Sequence, residues 1–449
     1  MSRPGAVPFV EALRFWLKLG FISFGGPAGQ IAVMHRELVE QRRWISERRF
    51  LHALNYCMLL PGPEAQQLAT YLGWLMHRTR GGVIAGVLFV LPSLLLLIAL
   101  SWIYLVFGQV PWVAGVFYGI KPAVAAIVLH AVWRIGSKTL RSPRRSPWLW
   151  AMAIASFVAI AVLGIGFPWV VLAALCLGWL GGWLAPGQFL PAPTHAAPAE
   201  QGQHLAALID DDTPTPVHAR FSRARLVRVV LAGLVLWALP MAVLVVWQGW
   251  GGPLPTMGMF FTQAALLTFG GAYAVLPFVY QGAVVQHAWL SGPQMIDGLA
   301  LGETTPGPLI MVVAFVAFLG GWQTQVLGAQ SPWLGGLVAS VVVTWFTFLP
   351  SFVFILAGGP LVESTHGQLR FTAPLTGITA AVVGVVASLG VFFLGHVARP
   401  VAGGPLDGIA LFIGAMAALA LLRFKLGVMT VIGACAVLGV LLKTSGWAV

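Results

Sequence analysis

The sequence predicts an all-α polytopic membrane protein built from two homologous, inverted-topology repeats with broken, re-entrant helices. Three observations carry that prediction. Of 449 residues, 59% are hydrophobic and only 8% charged, the composition of a chain whose solvent is lipid. No charge occurs at 146–199, 229–296 or 304–362, whereas one bilayer crossing needs only ~20 apolar residues. The third observation is internal repetition, which decides architecture and so ranks before any motif. A constant shift of 245 residues carries Phe24-Gly25-Gly26 onto Phe269-Gly270-Gly271, Trp44 and Ser46 onto Trp289 and Ser291, and Pro61-Gly62-Pro63 onto Pro306-Gly307-Pro308. After a longer second-half loop near 323–332 the shift becomes 258, placing Leu91-Pro92-Ser93 on Leu349-Pro350-Ser351 and Gly119-Ile120 on Gly377-Ile378.

The first repeat occupies 1–185. Its apolar run 9–24 is interrupted by Lys18 and leads into Gly25-Gly26-Pro27; this is not a secretory cleavage pattern, and the segment is expected to stay in the mature protein. Segments 9–24 and 28–42 flank Gly-Gly-Pro, and 47–60 and 63–78 flank Pro-Gly-Pro. As a helix rising ~1.5 Å per residue, 63–78 reaches ~24 Å, short of a ~30 Å hydrocarbon core. Both pairs therefore read as re-entrant. Segments 82–107 and 112–138 can span, and a hairpin follows at 148–184. GxxxG spacings at Gly82/Gly86, Gly115/Gly119 and Gly178/Gly182 permit close helix approach. Residues 186–228 form a Pro-rich linker, with six prolines before 222 and the run Asp210-Asp211-Asp212, expected to be flexible and aqueous. A single unrepeated crossing follows at 229–250. The second repeat, 251–449, again offers two spans (334–357 and 370–397) and a hairpin (406–442), giving four crossings per half.

One linking crossing between even-numbered halves turns the second half over, and loop charge tests this. Arg36, Arg42, Arg43, Arg48 and Arg49 have as second-half counterparts Gln281, His287, Ala288, Pro293 and Gln294. Arg134, Lys138, Arg141, Arg144 and Arg145 crowd one connection whose counterpart at 393–405 holds only Arg399. Conversely, the uncharged turns 164–168 and 108–111 correspond to loops bearing Arg423 and Lys425, and Arg370. The bias reverses at every pair, so the N-terminus and the linker are expected on the cytoplasmic side. Of the 25 basic residues, 20 lie before 229. The net charge of +12 thus reports orientation, and no nucleic-acid partner is expected.

Irregular backbone at membrane depth survives only where protein buries it or a watery cavity lines it. Each following half-helix points its N-terminal amides at the gap, an arrangement suited to an anion. One break alone reads as a sharp turn between packed helices; four in matched pairs read as a site. Ionisable residues inside the membrane come next. Lys121, the only charge between 81 and 131, either snorkels or touches substrate. Glu64 and Glu303 lie beside the two Pro-Gly-Pro breaks and serve either as helix caps or as titrating groups that couple proton movement. Asp297 falls in the first turns of a helix near the interface and ranks below them. Arg36, Glu37 and Glu40 read as a solvated face, and His52 and His130 as structural. Cys57, Cys176 and Cys435 form no CxxC pair and read as small hydrophobes. GxxxxGK[ST], HExxH and GxSxG are absent, so no enzyme activity, metal or cofactor is expected, and a gradient-driven secondary transporter is the natural class.

The string Phe24-Gly25-Gly26-Pro27 with Gln30, Glu37, Trp44 and Phe50, then Pro61-Gly62-Pro63 with Ala65 and Gln66, and its second-half echo, resembles the chromate ion transporter (CHR) family. The resemblance is to its long, two-domain form and covers nearly the whole chain outside the linker. It implies a bacterial inner-membrane protein that exports chromate by alternating access and confers resistance to it. Chromate is a tetrahedral dianion shaped like sulfate, and converging amides with one or two cations would replace its water shell. The implied substrate contacts are Phe24, Gly25, Gly26, Pro27, Gln30, Pro61, Gly62, Pro63, Lys121, Gly270, Gly271, Pro306, Gly307 and Pro308, with Glu64 and Glu303 as coupling residues. Ala272 stands where the first half has Pro27, and Val275 where it has Gln30, so the first-half motif is expected to contribute more. The rim arginines Arg36, Arg42, Arg43, Arg78 and Arg80 either concentrate anions or simply report topology. Partners are then chromate or another oxyanion such as sulfate, and the lipid bilayer; a homodimer is left open. The alternative class is a membrane-embedded redox or lipid enzyme.

Overall fold

The computed structural model describes residues 7–24, 26–140, 142–189, 207–214, 216–364, 372–400 and 404–445. In order, the first half gives α1 (Phe9–Ile22), α2 (Gly26–His35), α3 (Glu47–Leu59), α4 (Glu64–Phe107), α5 (Pro111–Thr139), α6 (Pro147–Ala161), α7 (Phe167–Leu184) and the single turn α8 (Pro186–Phe189). α9 (Arg223–Gln248) links to α10 (Pro253–Leu267), α11 (Ala272–Tyr280), α12 (Gly292–Thr304), α13 (Val312–Gln323), α14 (Pro332–Ser364), α15 (Thr372–Ala398), α16 (Gly408–Leu422) and α17 (Val428–Thr444). The chain is an all-α polytopic membrane protein.

The repeat extends to backbone detail. α2 and α11 both loosen into π-helical turns, Arg36–Gln41 and Gln281–Gln286, and both then turn through a positive-φ residue, Arg43 (53°) and Ala288 (50°). The shared Trp-x-Ser motif closes that turn and starts the next helix in both halves. The Trp44 and Trp289 amides donate back to Leu38 and Ala283 carbonyls at 2.8 and 2.7 Å. The Ser46 and Ser291 hydroxyls then accept from the amides of Arg49 and Gln294, capping α3 and α12. Within α4 the helix breaks at His77 and Arg78 (φ 58°), so the short re-entrant piece ends where its length predicts and a long span continues.

The two halves interlock. The α16–α17 hairpin of the second half packs on α5 of the first, while the α6–α7 hairpin of the first packs on α15 of the second. Small residues bring these helices together without bulky side chains between them. A Cβ on Gly119 would collide with the Cys435 carbonyl, one on Gly377 would stand 2.7 Å from the Ala174 carbonyl, and one on Gly178 would stand 2.9 Å from that of Ala373.

Of the nine expected crossings, six fall on helices that among the described residues are long and apolar enough to cross, α4, α5, α7, α9, α14 and α15, and the other three on shorter apolar helices. α6, α16 and α17 are 15, 15 and 17 residues long, or roughly 22–26 Å. The linker departs from expectation, since 207–214 and 216–219 are docked rather than free. Ile45 and Ile209 form a parallel bridge, the Leu208 and Ile209 amides donate to the Arg43 and Trp44 carbonyls at 3.0 and 3.1 Å, and Ser46 Oγ donates to Asp211 at 2.7 Å. Ala207, Ile209 and Ala219 become buried. A polar, Pro-containing composition does not prevent a few backbone groups from finding an exposed edge.

Candidate anion site

The four breaks meet in cross-paired fashion. The Gly62 amide of the first Pro-Gly-Pro donates to the Thr268 carbonyl at 2.7 Å, and the Gly307 amide of the second donates to the Ser23 carbonyl at 2.8 Å. Ser23 and Thr268 are equivalent positions immediately before the two Phe-Gly-Gly strings. Each half's Pro-Gly-Pro is thus pinned to the other half's Gly-Gly break. Gly62 and Gly307 have φ of +126° and +104°, which side chains rarely adopt. Each also presses on an equivalent serine: a Cβ at Gly62 would collide with Ser351 Oγ, and one at Gly307 would lie 2.8 Å from Ser93 Cβ. Such reciprocity is that of two halves related by a pseudo-two-fold axis.

Polar groups at the breaks are only partly satisfied. Gln30 Nε2 donates to the Gly307 carbonyl at 2.5 Å and the Ser23 carbonyl at 3.4 Å; Gln67 Nε2 donates to the Pro61 carbonyl at 2.7 Å. The hydroxyls of Ser23, Ser93 and Ser351, and Oε1 of Gln30, Gln66 and Gln67, are buried without partners. Buried polar atoms in that state are costly.

A cavity of about 720 Å³ opens beside these breaks. Pro27, Gly270, Gly271 and Glu64 line it, together with Tyr273, Arg134 and Lys138, while His35 and Glu40 stand on its wall. The N-termini of α2 and α11 lie at Pro27 and Ala272 on its lining. Arg134 is half-buried and its field reaches both Glu64 and Glu303. Among the described residues neither Arg134 nor Lys138 has an ion-pair partner. The arrangement offers amide dipoles and two cations to an anion, with two carboxylates, Glu64 and the His35-paired Glu40, on the same space.

The structure therefore gathers Pro27, Glu64, Gly270 and Gly271 around one space, with Gly26 next to Pro27 and outside the lining. Gly25 lies outside the described residues. Phe24 and Pro61 stay half-buried next to the breaks, and Gln30, Gly62 and Pro63 are buried behind them as struts. Pro306, Gly307 and Pro308 are buried and do not reach the cavity. Glu64 makes no cap, because Pro63 occupies the N-cap position without a side-chain bond; Glu303 sits at the last turn of α12, where the Tyr273 hydroxyl donates to it. Lys121 is elsewhere, paired with Asp297 at 3.3 Å. Asp297 is buried near the start of α12. Sequence reading counted Arg134 and Lys138 as loop charges, although the span 112–138 already contained both; their i,i+4 spacing on that helix was the available signal. Of the rim arginines, Arg42 pairs with Glu37 and Glu11, both at 3.5 Å, and stacks on Phe15 and Trp44. Arg78 and Arg80 line a separate cavity of about 670 Å³ with His77 and His218.

Cross-paired broken helices from two repeated halves around a cationic cavity belong to a multi-pass membrane protein of the transporter class. The family model described as Chromate transporter matches residues 10–179 and 255–440, and the chain belongs to that family. It is 34% identical over 439 residues to the Chromate transport protein of Pseudomonas aeruginosa, covering 97% of this chain and 93% of that protein. It is 30% identical over 377 residues to the Chromate transport protein of Cupriavidus metallidurans, covering 84% and 80%. The uncharacterized transporter YwrA of Bacillus subtilis is 29% identical over 161 residues, 35% of this chain but 89% of that protein. No solved structure matches the chain.

Proposed function

We propose that this protein is a secondary transporter that carries chromate outward across the bacterial inner membrane by alternating access. The observation that carries the reading is the shared cavity: Pro27 after the first break, Phe269-Gly270-Gly271 of the second, Glu64, Arg134 and Lys138 face one space. With the basic end cytoplasmic, that space is the inward-facing vestibule. A tetrahedral dianion entering it exchanges water for the α2 and α11 amides and the Arg134 fork. The unpartnered Ser23, Ser93 and Ser351 hydroxyls, buried where the breaks cross, supply further donors on the way through. Glu64 and the Tyr273-bonded Glu303 are the coupling candidates, since each lies within the field of the substrate cation Arg134. The donor set reads shape and charge, so sulfate is the competing cargo.

The test is radiolabelled chromate uptake into everted vesicles under imposed voltage and pH gradients, with sulfate as competitor. Wild-type vesicles are expected to accumulate chromate, and Gly62→Leu and Gly26→Leu vesicles to accumulate none while retaining the protein in the membrane. Full uptake by both variants would sink the proposal, and preferential accumulation of sulfate would reassign the cargo.

A further inference from the structure

Lys121 and Asp297 form a second charged station, remote from the cavity and made by both halves. Lys121 lies on α5 and Asp297 on α12, and Lys121 Nζ is 3.3 Å from Asp297 Oδ2. The Tyr104 hydroxyl of α4 donates to the same Oδ2 at 2.9 Å. The other oxygen, Oδ1, is buried and has no partner. The Asp297 side chain is 3% exposed, whereas that of Lys121 is 33% exposed. The pair is therefore lopsided: the cation is partly exposed at the protein surface, and the carboxylate is not.

The groups around Asp297 are few. α5 contributes Lys121, and three residues earlier Tyr118, which already donates to both oxygens of Asp407 at 2.9 Å. α4 contributes Tyr104. His396 of α15 stands against Gly292 at the start of α12, with Tyr280 of α11 beside it. α17 brings Cys435 against Gly119 and Lys443 against Gly115. α13 brings Phe315, packed on Tyr104. Glu303, on α12 itself, is bonded to Tyr273 of α11. Among these described neighbours no cation other than Lys121 reaches Asp297.

From this geometry we infer that Asp297 is the internal competitor of the transported anion for Lys121, and that the exchange takes up a proton. The inference rests on the anion-transport reading above. A dianion arriving at Lys121 breaks the Nζ–Oδ2 ion pair. A buried carboxylate left with one tyrosine hydroxyl is strongly unfavourable, so a proton from solvent bonds to Asp297, at the vacant Oδ1, as the anion settles on Lys121. When the anion leaves, the proton leaves and the pair re-forms. Lys121 is thus neutralised in both states, and an empty carrier never exposes an uncompensated buried charge.

Isothermal calorimetry on the purified full-length chain separates the two ideas. Chromate is titrated at pH 8, where it is a dianion, in two buffers of different ionisation enthalpy, whose difference in heat reports protons taken up. The wild type is expected to take up about one proton per chromate bound. Asp297→Asn is expected to bind at least as tightly with no uptake, and Lys121→Met/Asp297→Asn, a neutral pair that leaves no buried charge unpaired, to bind at least tenfold more weakly. Wild-type binding with no proton uptake, or uptake that survives Asp297→Asn, overturns the inference and leaves the transport reading standing. Absence of chromate binding by folded wild type overturns the reading on which it rests.

Discussion

The two Pro-Gly-Pro breaks have the same backbone and opposite surroundings. Gly62 and Gly307 share a positive φ, the same bond to the other half and the same serine neighbour. Yet Pro63 is followed by Glu64 on an open cavity, while Pro308 is followed by a fully buried apolar run, 309–319. A chain turn at membrane depth leaves little freedom in backbone geometry, because every amide must be placed. Side chains are not so bound. Duplication has therefore kept the turns and let the linings diverge, which leaves one face of the repeat pair wet and the other sealed.

The sharpest way to break this comparison is substitution at the two glycines. A Cβ at Gly307 meets Ser93 Cβ at 2.8 Å and the Phe89 carbonyl at 3.4 Å, atoms that cannot swing away. At Gly62 it meets Ser351 Oγ and the end of Gln67 at 2.7 Å, which can. Both substitutions cost about 1–3 kcal/mol, because φ of 126° and 104° lies where side chains are rarely accommodated. Gly307→Ala is expected to lose most of the folded protein, read as monodisperse material on size-exclusion chromatography, and Gly62→Ala to keep the protein while losing most chromate flux. Equal yields would show that the second break is no more tightly enclosed than the first.

A second asymmetry concerns the N-termini of the re-entrant helices. Arg49, at the start of α3, reaches Glu363 of α14 at 2.9 Å and the Thr213 carbonyl of the linker at 2.6 Å, and Tyr71 donates to the same glutamate at 2.5 Å. Its second-half equivalent, Gln294, only caps its own helix. Removing one member of a buried ion pair costs about 3–5 kcal/mol. Arg49→Gln is expected to lower the thermal midpoint markedly, Gln294→Ala to move it little, and Arg49→Gln/Glu363→Gln to recover most of the loss. A midpoint unchanged by Arg49→Gln would remove this clasp between halves and linker.

Arg134 has Phe392 as its counterpart, so the cationic lining also belongs to one half. Loss of a charge-assisted hydrogen bond is worth about 1.5–3 kcal/mol, roughly 10- to 100-fold in rate or affinity. Arg134→Gln is expected to reduce chromate flux by at least ~10-fold at any salt concentration. Lys138 is exposed, and Lys138→Gln is expected to reduce flux about twofold at low salt and not at all at 1 M, where screening is complete over ~3 Å. Flux profiles that do not separate in salt would show that both cations only steer.

What could be read from the sequence was local or repeated. The duplication, the breaks, the short re-entrant pieces and the reversal of loop charge all follow from residues within one half or from comparing equivalent positions. Pairings across the fold were not legible. Lys121 with Asp297, Arg49 with Glu363 and Ser46 with Asp211 bring together residues far apart in sequence, and no periodicity connects them. Arg134 shows a different obstacle: one arginine satisfies the positive-inside pattern and lines the cavity, and the first role hid the second. The docked linker was hidden because composition reports what a segment prefers alone, not which edge it meets.

The docked linker supplies the smallest difference between the halves, and it depends on pH. His218 donates to the Trp74 carbonyl at 3.0 Å. Burial, and then the charges of Arg78 and Arg225, hold its pKa below the usual 6.5 despite that bond. A folded value below the unfolded one means that the undocked linker binds the proton more readily. The contribution to docking is therefore complete above 6.5 and declines as pH falls from there towards the folded value. Amide exchange at 207–219 is expected to quicken between pH 7.5 and pH 5.5, after correction for intrinsic rates, while exchange in α13 stays constant. His218→Asn, which can still donate to Trp74, is expected to flatten that dependence. Unchanged protection at the lower pH would mean that Ser46, Asp211 and the Ile45–Ile209 bridge hold the segment without help from the histidine.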